Sequence, residues 1–216
     1  MGVQSSFGFT LGRMEKGRLN KITDVPGVRV GHVTRHEGGI NTGVTAILPH
    51  TGDMFHDKCP AASHVINGFG KSIGLVQVNE LGTIETPLLL TNTLSVGTAA
   101  TALVKYMLER NEDIGRDTGT VNPMVFECND GHLNDIRGLH VTEQNALDAL
   151  ANAADDFEEG AVGAGSGMSC YSLKGGIGSA SRVFELYGNK YTVGALLLTN
   201  FGTLRDLTVG CERVRE

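Results

Sequence analysis

No run of 18 apolar residues occurs in this chain, so no segment of it is expected to span a bilayer. Basic residues are outnumbered, 18 Lys and Arg against 24 Asp and Glu, for a net charge of −6. Without a basic cluster to displace phosphate counterions, nucleic acid is not an expected partner. Proline occurs only five times. Cys59, Cys128, Cys170 and Cys211 are widely spaced with no CxxC pair. That spacing speaks against a metal or redox centre and for reduced, mostly buried thiols, so no metal or cofactor is implied. The first residues lack a basic region followed by an apolar core, which leaves no secretory signal and makes the cytoplasm the expected location. The letters MGVQSS fit an N-myristoylation pattern, with an ordinary start as the alternative.

What the chain has instead is glycine, 30 residues in 216, scattered through apolar segments. Glycines placed that way serve tight turns and close backbone approach better than they serve a linker. No internal repeat or low-complexity tract divides the sequence, and its length suits one domain over residues 1–216.

Residues 28–34, 43–49 and 73–79 read as strands, rich in β-branched residues and bounded by glycine or proline. Asp24-Val25-Pro26-Gly27 reads as a turn. A helix is expected from about Ser95 to Arg110, with Val96, Ala100, Leu103, Val104 and Met107 in one stripe and Ser95 or Thr93 as cap. A second is expected over 143–158, capped by Thr142, burying Ala146, Leu150, Ala153 and Phe157, with Gly160 just past its end. Strands resume at 124–128, 168–174 and 191–199. Mixed strands with two long helices, lacking strict alternation, point to an α/β sandwich.

The common site motifs fail on spacing. Gly70-Lys71-Ser72 ends like a phosphate loop, but Val65 stands where its first glycine belongs. Gly163, Gly165 and Gly167 miss the dinucleotide pattern because Met168 takes the last position, and a strand follows where that fingerprint opens a helix. Ala164 replaces the first glycine of a nucleophile elbow around Ser166. His32 and His36 are spaced like zinc ligands but fall at a strand end and in a turn, where surface histidines are the plain reading.

Residues 127–135, ECNDGHLND, are different: three acids and two amides follow the apolar run 123–126. Alternation at a strand end would send Glu127 and Asn129 to one face. Glu127, at the end of a buried strand, reads as functional. Asp130, Asn134 and Asp135 read as a turn that satisfies its own backbone. Asn200 closes the apolar run VGALLLT; its amide is either an oxyanion donor at the rim of the core or a turn cap.

Five long segments carry a resemblance: ITDVPGVRVGH (22–32), NELGTIETPLLLTNTLSVGTA (79–99), ECNDGHLNDI (127–136), GAGSGMSCYSLKGGIGSASR (163–182) and YTVGALLLTNFG (191–202). In this order they resemble the DmpA-type L-aminopeptidase/D-esterase family, which includes β-peptidyl aminopeptidases. The resemblance implies a self-processing precursor cut into α and β chains, the freed N-terminal serine or threonine of the β chain being the nucleophile. This chain would then be the α chain, and its last residues, Arg215-Glu216, differ from the small residue expected before the cut.

The implied fold is an αββα sandwich, shared with ornithine acetyltransferases and completed by the separate β chain. The implied assembly is a tetramer of αβ units. The implied activity is an aminopeptidase or amidase acting on short peptides, amides or esters, with no cofactor. By the same resemblance Asn200 helps bind the oxyanion, Glu127 receives the free amino group of the substrate, and Asn129 stands where some relatives carry a catalytic tyrosine. The glycines at 163, 165, 167, 175, 176 and 178 either bring backbone close to substrate or form two turns around a core strand. Lys174 and Arg182 are counter-ions near the site or ordinary solvated charges. An acyl transferase of the ornithine acetyltransferase kind is the main alternative, with ECNDG and GGIGSASR favouring the peptidase. A binding domain without catalysis is the other.

Overall fold

Arg29–Glu37 (β1) and Ile40–Leu48 (β2) form an antiparallel hairpin, Arg29 opposite Leu48 and Glu37 opposite Ile40. A short helix, Leu75–Leu81 (α1), precedes strand Leu88–Asn92 (β3), which lies antiparallel to β2. Helix Val96–Arg110 (α2) then returns the chain to strand Met124–Cys128 (β4), which runs parallel to β3. The resulting sheet has the order β1-β2-β3-β4. Helix Glu143–Ala151 (α3) follows, and Ile177–Leu186 (β5) and Asn189–Leu198 (β6) form a long two-stranded hairpin. The computed structural model describes residues 12–209 and 212–214, so the MGVQSS start, Cys211 and Arg215-Glu216 lie outside the described residues.

Alternation along the sheet sends its residues to two cores. Val44, Ala46, Leu89 and Val125 meet Val96, Ala99 and Leu103 of α2 and Ala146, Ala149 and Leu150 of α3. Small residues dominate the helix side and let the backbones approach. A Cβ at Gly31 would stand 2.2 Å from the Ala149 carbonyl oxygen and 2.6 Å from the Ala153 nitrogen, so only glycine lets α3 lie against β1 there. On the opposite face Val30 and Leu90 pack with Phe157, Ala164 and Ile177, backed by Leu196 and Leu198 of β6.

Among the described residues the layers therefore run helices, four-stranded sheet, hairpin. Tyr191, Val193 and Leu197 on the outer side of β6 are 45–57% exposed, and no helix covers them. The mixed α/β layering agrees with the sandwich expected, of which an outer helical layer is not present among these residues.

Several local expectations are corrected. Residues 75–81 are helical, not extended: only Ile73 pairs with a strand, exchanging both backbone hydrogen bonds with Val125. Gly74, inside the strand expected over 73–79, and Gly82 flank this helix with φ of 102° and 65°. The glycine past its end is the usual left-handed stop. The cap before α2 is Asn92, whose Oδ1 accepts from Ser95 N at 3.0 Å, in place of Ser95 or Thr93.

Helix α3 starts at Thr142 as expected but ends at Ala151, because Ala154 leaves to exchange hydrogen bonds with Val30. Phe157 is buried on the opposite side of the sheet, and Gly160 pairs with Ile177. The strand expected over 168–174 is broken by Tyr171 (φ 54°) and Ser172 (φ 61°) into the small hairpin Ser169–Cys170 and Leu173–Lys174. Two positive φ values in the loop are what a tight two-residue hairpin turn demands. His36 lies within β1, not in a turn. His32 is half-buried between Thr45 Oγ1 (2.9 Å) and the Glu158 carbonyl (3.1 Å), and burial lowers its pKa.

Candidate functional site

The parallel pairing of β3 and β4 sets Thr91 opposite Glu127 and Asn92 opposite Cys128, so both strands end side by side. Clefts outside the carboxyl ends of parallel strands are a favoured place for ligands. Each strand end is held by polar side chains. Asn92 donates from Nδ2 to the buried Thr42 Oγ1 at 2.9 Å while its Oδ1 caps the turn into α2. Thr93, next in sequence, donates from Oγ1 to Glu127 Oε2. The other carboxylate oxygen, Oε1, accepts from Lys71 N at 3.1 Å. Each oxygen of Glu127 thus has one fixed donor, and a carboxylate oxygen can accept a second.

Asn129 is exposed, and its Oδ1 turns back to accept from Gly131 N at 2.8 Å. Its main-chain carbonyl accepts from Asn200 Nδ2 at 2.7 Å, across 71 residues of sequence. The structure therefore brings Asn200 and Asn129 into contact two residues beyond Glu127, roughly 6–7 Å of extended chain. The side chains of Glu127 and Asn129 take different partners, so their expected common face is not how the two are joined. Between them Cys128 points to the other side of the sheet, its Sγ 3.6 Å from the Leu198 carbonyl oxygen. Burial first, then the charge of Glu127 and the neighbouring Cys170, pushes its thiol up to about 11. A thiol so shifted is a poor nucleophile at neutral pH.

The rest of the acidic segment forms the expected turn, Leu133 N and Asn134 N both donating to the Asp130 carbonyl at 3.0 Å, and is also clamped to β2. Asp130 is buried and accepts from Asn134 Nδ2 at 3.1 Å. Asn134 Oδ1 accepts from Asn41 N at 2.9 Å, and Asn41 Nδ2 donates to the Leu133 carbonyl at 2.7 Å. Burial raises the Asp130 pKa, an effect the adjoining Thr42, Asn134 and Asn92 side chains offset only in part. Gly167 lies against this clamp: a Cβ there would come within 2.1 Å of the Asn41 carbonyl oxygen and 2.9 Å of Asp130 Cβ. Asp135 Oδ2 meets His140 Nε2 at 3.0 Å.

Of the glycines in 160–178, Gly160, Gly165 and Gly176 pack on one another, whereas Gly163 abuts Thr45 and His32 and Gly175 abuts the Thr199 carbonyl. Lys174 is exposed, as a solvated charge would be, yet its ammonium is tied to the backbone. Its Nζ donates to the carbonyls of Gly165, Met168 and Gly175 at 2.7–3.0 Å, and burial lowers its pKa. Arg182 donates to Asn20 Oδ1 at 2.9 Å. Cys59, Cys128 and Cys170 are free and only half-buried, short of the burial expected.

Two contributors escape a reading of the sequence: Lys71, whose backbone N–H holds Glu127, and Thr93, whose hydroxyl does the same. Thr93 lies three residues past the apolar run 88–90, a faint signal; nothing local marks Lys71. Among the described residues no three His, Cys, Asp or Glu side chains gather as a metal site, and no helix is long and apolar enough to cross a membrane.

Residues 20–216 match peptidase family S58. The chain belongs to that family. It is similar to the β-peptidyl aminopeptidase BapA of Sphingosinicella microcystinivorans, 41% identical over 196 residues that make up 86% of this chain and 48% of the relative. Its fold superposes on the PH0078 protein from Pyrococcus horikoshii OT3 with a TM-score of 0.95 and 56% identity, covering 98% of this chain and 62% of that one. It also superposes on the L-aminopeptidase D-Ala-esterase/amidase of Ochrobactrum anthropi, described as a variant of the Ntn hydrolase fold. That match has a TM-score of 0.83 and 37% identity, and covers 93% of this chain and 58% of that one. The family resemblance carried by the five sequence segments is thus borne out. This S58 chain spans about half the length of the curated relatives it matches.

Proposed function

We propose that this polypeptide is the α portion of an aminopeptidase or amidase that removes N-terminal residues from short peptides, amides or esters. The attacking group is the N-terminal serine or threonine of a companion β chain released by self-cleavage. The observation that carries the reading is the Asn200 amide. One of its two N–H bonds is spent on the Asn129 carbonyl, which fixes the plane of the amide and leaves the second to donate to an oxyanion. A donor held before reaction costs no reorganisation when an oxyanion forms. Asn129 acts through its carbonyl, as the group that positions Asn200.

Glu127 supplies the anion for the free amine of the substrate, with lone pairs left after Lys71 and Thr93 have donated. A serine or threonine hydroxyl needs a base, and a chain-terminal amine, with an ordinary pKa of about 7.7–8.0, provides one on the same residue. The companion chain finds support in the β5–β6 hairpin. Leu196 and Leu198 face the core while Tyr191, Val193 and Leu197 lie bare on the other side. Strands apolar on both faces read as interior strands, and a two-stranded ribbon is marginal unless covered. A cytoplasmic assembly of αβ units in tetramers completes the proposal.

Expression of the full-length gene tests it. Two fragments should form, the second beginning with serine or threonine, and replacing that residue by alanine should abolish both cleavage and hydrolysis of aminoacyl p-nitroanilides. An uncleaved polypeptide with full activity refutes the self-processing reading. Transfer to an added acceptor amine without hydrolysis selects an acyl transferase instead.

A further inference from the structure

Beside Glu127 opens a cavity of about 460 Å³ that none of the roles above uses. Val65, Ile66, Leu75 and Phe126 give it apolar surface beside Ser63, His64, Asn67 and Ser72, and no Asp, Glu, Lys or Arg lines it. Val65 and Ile66 are 52% and 91% exposed, on the chain leading into α1. The same stretch supplies Lys71 N to Glu127 Oε1, and a Cβ at Gly70 would lie 3.6 Å from that oxygen. Phe126, on the opposite wall, immediately precedes Glu127 on β4. The cavity and the carboxylate thus meet at Gly70.

An amine held by a carboxylate is one carbon away from the side chain of its own residue, so that side chain must enter whatever space adjoins the carboxylate. We propose that the cavity is the subsite for that side chain and that it selects aliphatic side chains over very small or charged ones. The proposal rests on the amine-binding reading of Glu127. Apolar walls without a counter-charge favour apolar groups through area removed from water, and they penalise an ion that would lose its hydration. Exposed apolar residues beside a polar anchor are the usual make-up of such a subsite.

The test compares kcat/KM for leucyl and glycyl p-nitroanilides, of whichever stereochemistry the enzyme accepts, in the full-length enzyme and its Val65→Asp and Ile66→Asp variants. Both positions are exposed, and a ratio between substrates cancels any change in the fraction of folded enzyme. The leucyl-to-glycyl ratio should fall about tenfold, the scale on which apolar pockets discriminate. A ratio that stays within about twofold in both variants overturns the subsite, as when the companion chain fills the cavity.

Glu127→Gln, assayed in parallel, separates the two levels. It should depress leucyl and glycyl substrates alike relative to their N-acetylated forms. If it does so while the ratio ignores Val65 and Ile66, only the subsite falls. If Glu127→Gln leaves the preference for a free amine intact, the amine-binding reading falls, and the subsite with it.

Discussion

Replacing Glu127 by glutamine removes a charge while keeping the shape of the side chain. In the wild type Oε1 accepts from Lys71 N at 3.1 Å, and the amide oxygen of glutamine can still do so. The amide nitrogen then faces Thr93 Oγ1, which has lone pairs to receive it, so the strand ends need not move. What disappears is the anion proposed to face the ammonium of the substrate. A hydrogen bond to a charged group contributes about 1.5–3 kcal/mol. At about 1.4 kcal/mol per factor of ten, that is roughly 10–150-fold in kcat/KM. Glu127 is only half-buried, so water and salt screen it and the lower end of that range applies, about tenfold near physiological ionic strength. The assay is kcat/KM for a free aminoacyl p-nitroanilide and for its N-acetyl counterpart, in both enzymes, at two salt concentrations. The free-amine substrate should lose about tenfold, more at low salt, while the blocked one changes by less than about twofold. Equal losses on both substrates, or none on either, refute the assignment.

Asn200→Ala should lower kcat by about 10²–10³ with the fold intact, the usual cost of one oxyanion donor; near-normal turnover with a normal circular-dichroism spectrum would remove Asn200 from the site. Lys58 Nζ lies 2.5 Å from Glu85 Oε2, and Glu85 is only 4% exposed. Lys58→Met leaves that carboxylate the hydrogen bonds of Asn122 but no counter-charge, and should cost about 2 kcal/mol and lower the melting temperature by about 4–8 °C. Burial alone would raise the Glu85 pKa, but Lys58 and Asn122 outweigh it and hold the group below its ordinary 4.5. A lowered folded-state pKa gives stability that is complete above the unfolded value and is lost as pH falls through the folded one. The wild type should therefore lose melting temperature on acidification below about pH 4.5, and Lys58→Met should show a shallower fall. Gly31→Ala forces a methyl against the backbone of α3 and should destabilise by about 3 kcal/mol, read as a shift in the urea midpoint; a shift under 0.5 kcal/mol would mean that α3 slides away freely.

How much of this was legible beforehand follows the range of each interaction. The stripe of α2, the Thr142 cap and strands 124–128 and 191–199 are local patterns, and the structure reproduces them. The segment 75–81 defeated the same logic. Leu-Val-Gln-Val is as acceptable in a short helix as in a strand, and glycines bound either one. Strand β5 was invisible because Gly-Ser-Ala-Ser has little strand propensity; it is extended because β6 pairs with it along ten residues.

From the amino-acid order alone came the family, the mixed α/β class, and Glu127, Asn129 and Asn200 as the residues worth watching. Tertiary structure alone decided what they touch: Thr93 and the Lys71 N–H on Glu127, the Asn129 carbonyl on Asn200, and an Asn41–Asn134 clamp added to the turn that was expected. The reason is physical. Helix and strand propensities act over a few neighbours, whereas the contacts of Glu127, Asn129 and Asn41 join residues 34 to 93 positions apart and exist only once the register of the sheet is set.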